Sequence, residues 1–259
     1  MIPEITVICS LGRHPGSDRV RPAIADARAL AFALSVGERV RAVHVGDPES
    51  PGLRDYLGQT AGGRSLDRLD VIELPADRDI RPALVAYLAA RRCDVVLAGT
   101  CAEDGEGSGM LAYDLADALG HTLVPAIDTL ASSDGGLALT QVLPRGRRRS
   151  LKAMTPLIAT VDAASAPRPI YAEARARRGT IRRLAPEVAC PVAEHADIRP
   201  ARPRPKRIRV SGGGSAADRL RAASETQAGQ GALMIDPAAE DAAQAIADYL
   251  RSEGFLSSH

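Results

Sequence analysis

The stretch Gly99-Thr100-Cys101-Ala102-Glu103-Asp104-Gly105-Glu106-Gly107-Ser108-Gly109-Met110 gathers the residues best suited to holding a ligand. Its glycines let a backbone approach a bound group closely. The run before it, Asp94-Val95-Val96-Leu97-Ala98-Gly99, is almost continuously apolar, as in a strand buried on both faces of a parallel sheet. A helix over about Ser108 to Leu119 follows, closed by Gly120. Open α/β sheets collect ligands beyond the carboxyl ends of their strands. A helix N-terminus there offers free N–H groups and partial positive charge, which suits a phosphate. Ser108 is placed to cap the helix. The acids Glu103, Asp104 and Glu106 suit ribose hydroxyls or solvent better than a phosphate. The spacing is neither a Walker A loop nor a G-x-G-x-x-G fingerprint, so a solvated turn that binds nothing stays open.

A second loop, Ser10-Leu11-Gly12-Arg13-His14-Pro15-Gly16-Ser17, follows the first strand and reaches the same sheet edge. The histidines His14, His44, His121, His195 and His259 are scattered, with no metal-ligand spacing. No G-x-S-x-G elbow occurs, and no nucleophile–base arrangement can be assembled. This favours a binding or carrier protein. Two basic groups stand out. Arg145, Arg147, Arg148 and Arg149 read as a solvated hairpin tip or a site that steers an acidic partner. Arg175, Arg177, Arg178, Arg182 and Arg183 read as a helix face turned to solvent, to a nucleotide phosphate or to an acidic surface.

The elements that must position these loops alternate. Strands are read at Ile5–Cys9, Val40–Val45, Leu69–Leu74 and Asp94–Gly99; helices at Ala27–Val36, Pro51–Leu57 and Ile80–Ala90. This predicts an α/β domain with a mainly parallel sheet, helices on both faces and right-handed crossovers. Beyond Pro125 the pattern changes to strands at Leu137–Leu143 and Leu151–Val161, joined by a turn at Arg145-Gly146-Arg147. Ala185 to Arg209, with five prolines, reads as an extended arm. Ser211-Gly212-Gly213-Gly214-Ser215 reads as a joint, and Ala216–Ala223 and Ala238–Leu250 as helices. The division expected is 1–184 for the nucleotide-binding domain and 185–259 for an arm and helical tail that contact a partner.

The 259 residues suffice for a sizeable core, and a net charge of +1 argues against a general nucleic-acid binder. Aromatic residues are only 3%, with no Trp, so base-stacking platforms lose ground too. No run approaches a membrane span, and the first residues do not resemble a signal peptide. Cys9, Cys93, Cys101 and Cys190 show no paired spacing and read as free thiols in a reducing cytoplasm.

Several segments, taken in order, resemble the β subunit of electron transfer flavoproteins over roughly residues 4 to 184, with this chain as a divergent bacterial branch. Asp94–Gly99, then Ala102, Asp104-Gly105-Glu106 and Leu115-Ala116-Asp117-Ala118-Leu119-Gly120, is similar to that family's nucleotide loop and following helix. Thr155-Pro156-Leu157-Ile158-Ala159-Thr160-Val161 resembles its Leu-Pro-Ala-Val-Val-Thr-Val strand. Pro167-Arg168 and Ala176-Arg177-Arg178 resemble its Pro-Arg and Ala-Lys-Lys segments. Arg21-Pro22 stands where the family has Asn-Pro.

The resemblance implies a heterodimer with an α subunit that holds FAD, partly covered by this chain. It implies a structural AMP between Cys9, Ser10 and Leu11 and the loop Gly99, Thr100, Cys101, Ala102, Glu103, Asp104, Gly105, Glu106, Gly107, Ser108, Gly109 and Met110. Arg13 and His14 are assigned by position to the FAD edge, and Pro169, Ile170 and Tyr171 to partner docking. Catalytic residues and metal are expected to be absent, and so is membrane insertion. It implies, too, that electrons pass from flavin-dependent dehydrogenases to a membrane electron transfer flavoprotein–quinone oxidoreductase. The altered loop and the Arg-rich hairpin look most like a branch serving N-methyl amine oxidation, such as that of dimethylglycine. The alternatives are an electron-bifurcating relative, with a second FAD and NADH oxidation, and a stress-type nucleotide-binding module without FAD.

Overall fold

The computed structural model describes residues 3–105, 107–193, 215 and 233–252. In chain order the elements are β1 (Glu4–Ile8), β2 (Leu11–Arg13), β3 (Val20–Pro22), α1 (Ile24–Val36), β4 (Arg39–Gly46), α2 (Leu53–Leu57) and β5 (Gln59–Ala61). They continue with β6 (Arg64–Ser65), β7 (Arg68–Glu73), α3 (Arg81–Ala89), β8 (Val95–Gly99), α4 (Leu111–Leu119), β9 (Thr122–Ser133) and β10 (Gly136–Val142). The last are β11 (Arg148–Ala153), β12 (Leu157–Val161), β13 (Ile170–Tyr171), α5 (Glu173–Arg178), β14 (Thr180–Leu184) and α6 (Ala239–Ser252).

Nine strands form one sheet in the order β11-β10-β9-β12-β8-β1-β4-β7-β14. From β9 to β14 the neighbours are parallel; at the other end β10 is reversed and pairs antiparallel with both β9 and β11. The apolar run of β8 is buried at every residue. Its side chains alternate between two cores, as the period of a strand requires. Val95 and Leu97 join Ile5, Val7 and Leu157 in a core shared with α1 and α2. Val96 and Ala98 join Ile8 and Ile158 in a second core shared with α3 and α4. Helices therefore cover both faces, as the alternation of elements predicts.

α1 is buried almost all round, from Asp26 to Leu34, and its alanines let it lie close to the sheet. A Cβ on Gly99 would strike the Ala25 backbone and the Asp26 carboxylate. That close approach is the reason for glycine at the end of β8. On the other face, α4 buries Ala112, Leu115 and Ala116, and Gly120 ends it in the left-handed conformation, as expected.

Four readings are corrected. The strand read at Leu151–Val161 is two strands, because Met154-Thr155-Pro156 interrupts it and only the second part joins the parallel set. A twelve-residue strand, β9, begins before the change of pattern placed at Pro125. The basic stretch read as one helix breaks at Gly179: α5 carries Arg175, Arg177 and Arg178, while Arg182 and Arg183 lie on β14, paired with β7. The helix read from Ser108 begins at Leu111, because Gly107 and Gly109 take left-handed φ angles of 59° and 76°.

The chain divides into compact units at Ala196 and Asp197. Within the first, the stretch after β14 lies against the loop before α3: Asp79 N–H donates to Pro191 O at 2.9 Å and Ala193 N–H to Asp77 O at 2.7 Å. In the second, the helix read at Ala238–Leu250 is α6. The joint's Ser211 to Gly214 and the Ala216–Ala223 helix lie outside the described residues. Among the described residues no helix is long and apolar enough to cross a membrane.

Candidate functional site

β1 and β8 are adjacent and parallel, yet the chain leaves them in opposite directions. After β1 it passes through α1 to β4 on one side; after β8 it passes through α4 to β9 on the other. The crevice beyond their carboxyl ends is thus where the strand order turns, the place at which open α/β sheets bind ligands. Both loops singled out in the sequence open there.

The floor of the crevice is closed by Asp26, in the first turn of α1 and only 5% exposed. Its Oδ2 accepts the Ser10 N–H at 2.8 Å and the Ser10 hydroxyl at 2.5 Å. Its Oδ1 accepts the Gly99 N–H at 2.7 Å. One carboxylate therefore ties the ends of β1 and β8 together. Burial pushes its pKa up, and the hydrogen bonds from Ser10 and Gly99 oppose that rise. Tyr56 Oη donates to Ser10 O at 2.6 Å from α2, and His44 Nδ1 to Cys9 O at 2.9 Å from β4. Burial, with Asp26 adding to it, pushes the Cys9 thiol well up, so it stays protonated. Burial lowers the His44 pKa and favours its neutral form. These groups hold main chain in place.

Above this floor, Thr100, Cys101, Glu103, Asp104, Gly105, Gly107, Ser108 and Met110 are exposed, and Ala102 and Gly109 half-buried. Glu106 lies outside the described residues. Ser108 does not cap α4; its Oγ accepts the N–H of Met110, one residue before the helix, at 3.1 Å. Asp104 Oδ1 accepts the Gly105 N–H at 2.8 Å. The N–H groups of Gly107, Gly109, Leu111 and Ala112 meet no acceptor among the described residues. They are the donors a phosphate needs.

Glu103 turns away from that loop. Its carboxylate accepts both terminal N–H groups of Arg21, at 3.1 and 2.9 Å, and the Ile24 N–H at 2.5 Å. Gly12 leaves the room: a Cβ there would overlap this carboxylate. Of the three acids that suit a phosphate poorly, Glu103 is thus held by Arg21 and the α1 N-terminus. Arg21, the departure from Asn-Pro, finds its partner here.

Leu11–Arg13 is not loop but a strand paired with Val20–Pro22. Arg13 pairs with Asp18 at 3.1 Å, and His14 Nδ1 accepts the N–H groups of Gly16 and Ser17 at 3.2 Å, so both are exposed and locally held. Pro169 is half-buried, and Ile170 and Tyr171 are 70% and 50% exposed on β13, which pairs with β5 far from the crevice in sequence. Of the basic residues, Arg148 pairs with Asp128 at 2.7 Å and Arg177 with Glu173 at 2.8 Å. A cleft of about 600 Å³ opens beside the start of β4 and the β5–β6 hairpin. Its Arg39 and Arg41 pair with Glu4 and its Arg68 with Asp70. Among the described residues no His, Cys, Asp or Glu cluster could hold a metal.

The electron transfer flavoprotein domain model matches residues 17–189. The chain is also 42% identical over 262 residues to the electron transfer flavoprotein subunit beta of Chromohalobacter salexigens, covering 98% of this chain and 96% of that one. The chain belongs to the electron transfer flavoprotein family. In this flavoprotein-family chain the glycine loop, the α4 N-terminus and the end of β1 share one sheet edge, where the N–H groups of Gly107, Gly109, Leu111 and Ala112 are available to a phosphate. Sequence reasoning missed Asp26, Tyr56 and the Arg21–Glu103 pair. The available signal was a lone carboxylate, Asp26, at the head of an Ala- and Leu-rich helix, where a surface charge would be wasted on a buried face.

Proposed function

We propose that this chain is the β subunit of a two-chain electron transfer flavoprotein, paired with an α subunit, in the cytoplasm. It holds a structural AMP in the β1–β8 crevice and helps enclose an FAD carried chiefly by the α subunit. It carries no catalytic residue of its own. Electrons come from flavin-dependent dehydrogenases, with N-methyl amine oxidation such as that of dimethylglycine as the donor class. They leave to a membrane quinone oxidoreductase. In this reading residues 1–184 bind the nucleotide and residues 185–259 contact the α subunit.

The whole-chain likeness to a β subunit supports this reading most directly. The crevice supports the nucleotide part, because it sits at the reversal of strand order and offers N–H groups at the start of α4. When bound, FAD supplies the electron chemistry. The residues of this chain position: Asp26 and Ser10 hold the crevice floor, the 105–110 loop and α4 take the phosphate, and Arg13 and His14 face the flavin edge. Ile170 and Tyr171, apolar and exposed, dock the donor.

The test is acid release of nucleotides from the natively purified complex, read by chromatography and mass spectrometry with the co-purifying chain identified. About one FAD and one AMP per two-chain complex is expected, and an AMP-free complex should melt at lower temperature. Two FAD and no AMP would replace this reading with the bifurcating, NADH-oxidising one. A lone chain without flavin would overturn it.

A further inference from the structure

Two helix N-termini flank the crevice, and the chain treats them differently. That of α4 is open: the N–H groups of Gly107, Gly109, Leu111 and Ala112 meet no acceptor among the described residues. That of α1 is already filled. The Glu103 carboxylate lies on the Ile24 N–H, between the two arms of the Arg21 guanidinium, where Gly12 makes room for it. Both partners are only partly exposed, with side chains at 21% for Arg21 and 27% for Glu103. Arg21 also donates to Arg13 O at 3.0 Å and Pro22 O at 2.9 Å, so the guanidinium is fixed in place. Just beneath, the buried Asp26 carboxyl closes the same helix end.

A nucleotide reaching this crevice therefore finds a place for one phosphate and not for two. A second phosphate extending from the α4 loop toward α1 would meet the Glu103 carboxylate, with Arg21 and the Ile24 N–H already used. Like charges brought together in a partly desolvated site repel strongly. We infer that Glu103, held by Arg21 and the Ile24 N–H, is the specificity-determining residue that restricts the crevice to a nucleoside monophosphate and turns away nucleoside diphosphates and dinucleotides. The inference rests on the nucleotide reading above, and it names the residue that separates the AMP-holding form from one holding a second FAD.

The experiment uses the two-chain complex freed of bound nucleotide, with AMP and ADP titrated separately by calorimetry. The ratio of the two affinities is the readout, so any general loosening of the loop cancels. Wild type should favour AMP by about ten-fold or more, the scale of one unfavourable charge contact. In Glu103→Ala the ratio should move toward ADP by about ten-fold, since Arg21 and the Ile24 N–H are released to a second phosphate. Glu103→Gln, which keeps the shape without the charge, should shift it in the same direction by less. Adding Arg21→Ala to Glu103→Ala should remove the gain for ADP. An unchanged ratio in both Glu103 variants, with AMP still bound, overturns the inference and leaves the AMP reading standing. A wild-type complex that binds neither nucleotide overturns both.

Discussion

Two aspartates are almost wholly buried among the described residues, and their surroundings push them in opposite directions. Asp26, on α1, has no cation beside it among the described residues and takes two main-chain N–H groups and one hydroxyl. Burial raises its pKa. Asp70, on β7, is 3% exposed and receives Arg182 through Nε at 2.8 Å and a terminal nitrogen at 2.5 Å. Tyr87 Oη adds a bond at 2.7 Å and Arg68 an ion pair at 3.1 Å. Burial is the largest single influence on Asp70 and acts upward, yet Arg182, Tyr87 and Arg68 together leave its pKa lowered. One residue type at similar depth thus does two jobs. Asp70 ties β14 and α3 to the sheet as a charge among cations. Asp26 fixes the spacing of two main-chain segments at the carboxyl edge of the sheet, which needs acceptors rather than countercharge.

The largest expected effect falls on the structural member. Asp70→Ala should cost about 3 kcal/mol in urea unfolding, because Tyr87 and Arg182 lose their shared acceptor. A loss under about 1 kcal/mol would show that solvent replaces it and would dissolve the contrast. Asp26→Asn should cost less, about 2 kcal/mol, since one amide oxygen cannot serve three donors and its NH₂ must face one of them. Unlike Asp70→Ala, it should also weaken AMP binding, through the Ser10–Gly99 spacing.

The pH dependence sharpens the same comparison. The contribution of Asp70 is present above the unfolded carboxylate pKa of about 3.9 and is lost as pH falls through its lowered folded value. Asp26 has the opposite sign: its contribution is full below about 3.9 and is lost as pH rises through its raised folded value. Acid unfolding followed by circular dichroism should therefore be shallower than wild type in Asp70→Asn and steeper in Asp26→Asn. Equal slopes would mean the two environments do not differ as described. The smallest change in stability is expected at the exposed β13 pair. Ile170→Ser should stay within about 0.5 kcal/mol while slowing reduction of the complex by its donor dehydrogenase.

Much of the frame was legible because its signals are local. The apolar run of β8 announced a strand buried on both faces, and Gly120 the end of α4. The crevice was legible too, since a glycine loop after such a strand can lie only at the carboxyl edge of the sheet. The start of α4 was misread because Ser108 serves an N–H outside the helix and the flanking glycines adopt left-handed turns. β14 was misread because Arg182 and Arg183 look like a continued basic helix until Asp70 is seen across the sheet.

By itself, then, the sequence determined the alternation of strands and helices and the place of the glycine loop, because periodicity and glycine act within a few residues. Only the tertiary structure decided how the site is held. Asp26 meets Ser10 and Gly99 across 16 and 73 residues, and Glu103 meets Arg21 across 82. Such pairings follow from strand order and close helix packing. No spacing along the chain encodes them, since a carboxylate is as content in water as in a crevice until the fold removes the water.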